Sequence, residues 1–145
     1  MGITGLDTEG LYKEASMNTV FELKSTNSLA VTIENVKKEL AARKFGVLWE
    51  LNFKSKFEEK GYEYPYDFWI LEVCNPGIAI GVLESNQSAG YFLPCKVAIF
   101  DSEDGVKVGL VKPTDLIGLI SDNLQLIERA NEVESILTES LKASV

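Results

Sequence analysis

Apolar positions along the chain keep two rhythms, and each change of rhythm marks an element. Val20, Phe21 and Leu23 fall in a first strand predicted over Met17–Lys24. Ser25-Thr26-Asn27-Ser28 then supplies several N-cap side chains. A helix follows to about Lys44, with Ile33, Val36 and Leu40 on its buried face and Gly46 as its stop. From Val47 to Phe53 the rhythm is two, with Val47, Trp49, Leu51 and Phe53 on one face. A short helix over Lys54–Lys60 should end at Gly61, before the aromatic loop Tyr62-Glu63-Tyr64-Pro65-Tyr66.

Phe68–Val73 is apolar on both faces and reads as a central strand. It runs into Cys74-Asn75-Pro76, where Asn75 suits an N-cap and Pro76 the first helical position. The helix Pro76–Ser85 is apolar nearly all round and is expected to be buried. Tyr91–Phe100 reads as a strand with Leu93, Cys95, Val97 and Ile99 on one face. Pro94 within it cannot donate a ladder hydrogen bond, which suggests an edge strand or a bulge beside Cys95. Asp104-Gly105 closes a hairpin onto Val106, Val108 and Leu110. Pro113-Thr114-Asp115 opens a short helix over Leu116–Ile120, and a last helix covers about 123–141 with Leu126, Ala130, Val133, Leu137 and Leu141 as its stripe.

The resulting order, β-α-β-(α)-β-α-β-β-α, fits an α+β domain: an antiparallel or mixed sheet with helices packed on one face. A doubly wound parallel sheet is disfavoured by the hairpin and by the missing glycine-rich turn. At 145 residues one domain is expected, with 1–15 as a loosely ordered arm and 16–145 as the folded unit.

Composition narrows the function. The net charge of −8 suits neither a nucleic-acid backbone nor an anionic membrane surface. No apolar run approaches the roughly 20 residues of a membrane span, and the first residues lack the regions of a signal peptide. The expected setting is the cytoplasm, where the two cysteines are free thiols rather than a disulfide.

Several phrases carry a family resemblance. They are Phe45-Gly46-Val47, Ile70-Leu71-Glu72-Val73-Cys74-Asn75-Pro76 with Ala79, Gly90-Tyr91-Phe92-Leu93-Pro94-Cys95-Lys96-Val97, and Lys112-Pro113. Together they resemble the small prokaryotic domain-of-unknown-function family 302 over roughly residues 16–120. The resemblance implies a TATA-binding-protein-like arrangement, an antiparallel sheet with helices on one side, and a homodimer. It implies no activity, and a shared outline does not transfer DNA binding.

Candidate chemistry centres on the thiols. Cys74 precedes a helix N-terminus, which favours a thiolate; Glu72, on the same strand face, opposes it. Cys95 shares its face with core residues. Two cysteines with no histidine fall short of a zinc set, and no histidine-dependent triad is available. No catalytic residue, metal ligand or cofactor is assigned, which points away from an enzyme. The expected binding residues are Tyr64, Tyr66, Glu72, Cys74, Asn75, Pro76, Pro94 and Cys95, with the aromatic loop lining a cleft beside Cys74. The reading is a homodimeric module binding a small anionic or thiol ligand, or a protein. The alternative is thiol redox, redox sensing or sulfur transfer through Cys74 with Cys95.

Overall fold

The computed structural model describes residues 19–145. The arm expected over 1–15, and the first residues of the strand expected from Met17, lie outside them. Five strands, β1 (Val20–Lys24), β2 (Gly46–Asn52), β3 (Phe68–Cys74), β4 (Cys95–Ser102) and β5 (Gly105–Val111), form one antiparallel sheet in the order β1-β5-β4-β3-β2. The helices are α1 (Leu29–Ala42), α2 (Phe53–Glu59), α3 (Pro76–Ser85), α4 (Pro113–Gly118) and α5 (Leu124–Lys142), with a 3₁₀ helix at Gln87–Phe92.

Side-chain caps place the helix starts. Val31 N–H donates to Ser28 Oγ, Ile78 N–H to Asn75 Oδ1, and Gln125 and Leu126 N–H to Asn123 Oδ1. The start of α4 is held differently: Thr114 donates from both N and Oγ1 to Glu134 Oε1 of α5, pinning the short helix to the long one.

Period-two alternation sends Leu71, Val73, Val97, Ile99, Val106, Val108 and Leu110 to one face of the sheet. There they meet Ile33, Val36 and Leu40 of α1 and Val133, Leu137 and Leu141 of α5. A second, smaller cluster joins Val82, Ala89, Ile117, Leu126 and Ala130. The α5 stripe thus serves both clusters, its C-terminal half the first and its N-terminal half the second.

Six local expectations are corrected. α1 ends through Lys44 at a positive φ of 66°, and Gly46 instead begins β2. The alternation of β2 breaks at a bulge between Val47 and Trp49, which leaves both Leu48 and Trp49 exposed. Phe53 leaves the strand and starts α2, with Ser55 N–H donating to Asn52 Oδ1. The strand expected from Tyr91 starts only at Cys95: Asn86 caps the 3₁₀ helix by accepting from Ser88 N–H, and Tyr91 is 90% exposed. Pro94 therefore precedes β4, which is the central strand and not an edge. Finally, α3 buries Val82 alone, while Ile80 is 60% exposed and Leu83 38%. A ten-residue helix buries only the side that meets a neighbour, however apolar its other sides are.

Candidate functional site

The ladder between β4 and β5 runs from Ser102–Gly105 at the hairpin to Ala98–Gly109 and stops there. Beyond that point each strand keeps only its outer partner. β4 pairs with β3 as far as Cys95–Val73, and β5 pairs with β1 as far as Val20–Val111. Lys112 N–H then donates to Thr19 O. Continuing the β4–β5 register would set Pro94 against Pro113, two residues without an N–H to donate. The chain turns away at both: β4 is entered from the 3₁₀ helix, and β5 leaves into α4. The sheet is split at this end.

A cavity of about 500 Å³ opens at the split. Its apolar depth is formed by α4 and α5, with Leu116, Ile117, Leu126, Ala130, Val133 and Leu137. Tyr91, Phe92, Leu93 and Pro94 form one side. Its strand wall includes Ala98, Phe100, Gly109 and Val111, with the charged side chains Glu22, Glu72 and Lys96. Gly109 is required here: a Cβ would lie 2.6 Å from the Phe21 carbonyl oxygen of β1. The size and mostly apolar lining match the range of small-molecule pockets, roughly 300–1,000 Å³.

The expected site residues divide into three groups. Glu72, Pro94 and Cys95 line the cavity together. Cys74, Asn75 and Pro76 follow at the end of β3 but do not line it. Alternation turns Cys74 away from the side of Val73, the cross-strand partner of Cys95. Asn75 spends its side chain on the Ile78 amide, and its carbonyl accepts from Ala79 N–H. Tyr64 and Tyr66 lie before Phe68, at the opposite end of β3, about 20 Å of strand from Cys74. The cleft expected between the aromatic loop and Cys74 is therefore not formed.

The loop belongs instead to a run of ring contacts, Tyr66–Tyr64–Phe57–Phe53–Phe68–Phe100, with centroids 4.7–6.0 Å apart. It reaches the cavity only through Phe100. Glu22, Lys96 and the apolar depth were missed by sequence reasoning. One signal was present. Counting back from Ser102 to Pro94 and on from Gly105 to Pro113 gives eight residues each way, so the hairpin alone sets the two prolines opposite one another.

Neither Cys74 nor Cys95 is in a disulfide in this structure, and burial pushes both thiols upward. Cys95 reaches about 11, through burial first and then the negative charges of Cys74 and Glu72. Each shift reduces the thiolate, the nucleophilic form. Among the described residues no group of three or more His, Cys, Asp or Glu could hold a metal ion, and no helix is long and apolar enough to cross a membrane.

The fold and its split define a small α+β domain built on one five-stranded antiparallel sheet. Residues 21–144 match the family described as "Domain of unknown function DUF302", and the chain belongs to that family. It is similar to an uncharacterised conserved protein of the same family from Bacillus stearothermophilus, known from its crystal structure. The two are 35% identical, with a TM-score of 0.83 over 88% of this chain and 98% of that one. No curated protein matches the chain.

Proposed function

We propose that this protein is a non-enzymatic, homodimeric module of the cytoplasm that binds a small apolar ligand in the cavity at the β4–β5 split. The observation that carries the reading is the cavity itself, about 500 Å³ of mostly apolar space at the point where the sheet opens. Of the residues expected to bind, Glu72, Pro94 and Cys95 are the ones that would meet the ligand. Self-association is supported by the exposed apolar side chains Ile80, Leu83 and Tyr91. Thiol chemistry through Cys74 and Cys95 has less support, because burial disfavours both thiolates.

The test uses Nile red, an uncharged dye that brightens in apolar surroundings. The protein should bind it saturably, and Ala98→Phe, which adds a ring to the strand wall, should weaken binding at least tenfold without lowering Tm. Absence of saturable binding, or binding indifferent to Ala98→Phe, would contradict the reading.

A further inference from the structure

The charged side chains of the cavity wall are not equivalent. Glu22 is engaged by Lys107 at 3.7 Å, and Arg129, which also lines the cavity, by Glu132 at 3.4 Å. Glu72 and Lys96 remain. They are cross-strand partners in the β3–β4 register, so they project from the same face of the sheet. Neither side chain forms an ion pair or hydrogen bond with any described residue. Glu72 is half-buried while Lys96 is exposed. The cavity therefore presents one unengaged carboxylate and one unengaged ammonium side by side, above an apolar depth formed by Leu116, Leu126 and Leu137.

A purely cationic ligand would satisfy Glu72 and be repelled by Lys96; an anion would meet the reverse. A head that carries both charges satisfies both. Charge-assisted contacts of this kind also fix orientation, which the apolar depth cannot do alone. We infer that the cavity takes a zwitterion with an apolar body, of which an apolar α-amino acid is the simplest. The ammonium lies on Glu72, the carboxylate on Lys96, and the side chain points between β4 and β5 toward α5. This inference rests on the proposed cavity-binding function and narrows it from any apolar ligand to one with a doubly charged head.

Isothermal titration calorimetry on the full chain separates the two levels. The probes are L-leucine, L-phenylalanine and L-tryptophan, with L-phenylalaninamide and N-acetyl-L-phenylalanine as forms lacking one charge. At least one free amino acid should bind, and L-phenylalanine should bind at least tenfold more tightly than either capped form. Glu72→Gln should remove its advantage over the N-acetyl form, and Lys96→Gln its advantage over the amide. Both variants should keep the wild-type Tm, which shows that the fold persists, while Nile red binding to the wild-type chain reports the cavity itself. If capped and free forms bind alike, or no amino acid binds while Nile red does, the zwitterion is wrong and the cavity reading stands. If Nile red also fails to bind, both fall.

Discussion

The two ends of the β4–β5 ribbon are made by the same strands and do opposite things. At the hairpin end every position from Ala98–Gly109 to Ser102–Gly105 is paired. Gly105 takes the positive φ of 103° that the turn requires, and Ser102 Oγ donates to the Gly105 carbonyl at 2.8 Å. Ile99, Val106 and Val108 are buried beneath it. At the other end Cys95–Val97 and Leu110–Val111 part, and a cavity stands at the split. Strand propensity does not explain the difference, since both ends are rich in Val, Leu and Ile. What differs is the continuation: a two-residue turn at one end, and at the other two prolines leading into helices on separate paths. A cavity forms where the sheet stops satisfying itself.

The largest expected effect tests whether the two ends differ in packing. Ile99 is fully buried in the main core, so Ile99→Ala should cost about 2–5 kcal/mol in urea unfolding. Leu116 is half-buried and already borders open space, so Leu116→Ala should cost about 1 kcal/mol or less. Equal costs would mean that the split end is packed as tightly as the hairpin end, and the contrast would vanish.

A second measurement addresses the strands directly. Phe100 and Lys107 are ladder partners, while Lys96 and Val111 would be partners if the register continued. Both pairs lie on the same face and four residues apart along each strand, so they are equivalent in an unbroken ladder. In a background with Cys74 and Cys95 replaced by Ala, Phe100→Cys with Lys107→Cys should oxidise readily and add roughly 2–4 kcal/mol to stability. Lys96→Cys with Val111→Cys should resist oxidation, because a disulfide needs Cα atoms within about 7 Å. Mass spectrometry after mild oxidation reads both, and ready bridging of the second pair would close the split.

Much of this contrast was legible in the sequence, and the illegible parts have physical causes. Asn75 announced its helix because a cap is a local bond; Ser28 was one of four N-cap candidates, and Asn123 was placed only as the start of the last helix. The α5 stripe was legible because each of its residues meets the same side of the molecule. The start of β4 was not, since Tyr91-Phe92-Leu93 has strand composition, yet Tyr91 and Phe92 close the 3₁₀ helix that Asn86 caps and Leu93 follows it. Exposure of α3 was not legible either, because periodicity cannot tell a helix buried all round from one whose apolar sides are left open. For the site, Glu72, Pro94 and Cys95 meet because their strands pair. Tyr64 and Tyr66 were assigned by nearness in sequence to Cys74, but seven strand residues carried them to the far end of β3. Lys96 and Glu22 gave no local sign, as their importance comes from register alone.

The smallest expected effect sharpens the contrast by asking how dry the split end is. Cys95 opens β4 at the cavity, and its thiol is raised from 9.0 to about 11, chiefly by burial. The unfolded chain releases this proton near the ordinary value, whereas the folded chain holds it until about pH 11. Between those values the unfolded state binds fewer protons, so stability falls as pH rises, and below the ordinary value the thiol contributes no slope. The loss attributable to Cys95 should total roughly 2 kcal/mol by pH 11. Other groups titrate in the same range, so the measurement is a difference: urea unfolding of wild type and Cys95→Ala at pH 8, 9.5 and 10.5. The wild type should lose more stability across that series than the variant. Parallel losses would mean that water reaches the thiol freely, and the split end would then be a wet opening in the sheet instead of an apolar cavity. A dry result leaves Cys95 as a neutral wall residue, and Glu72 and Lys96 as the chemically distinctive pair at the split.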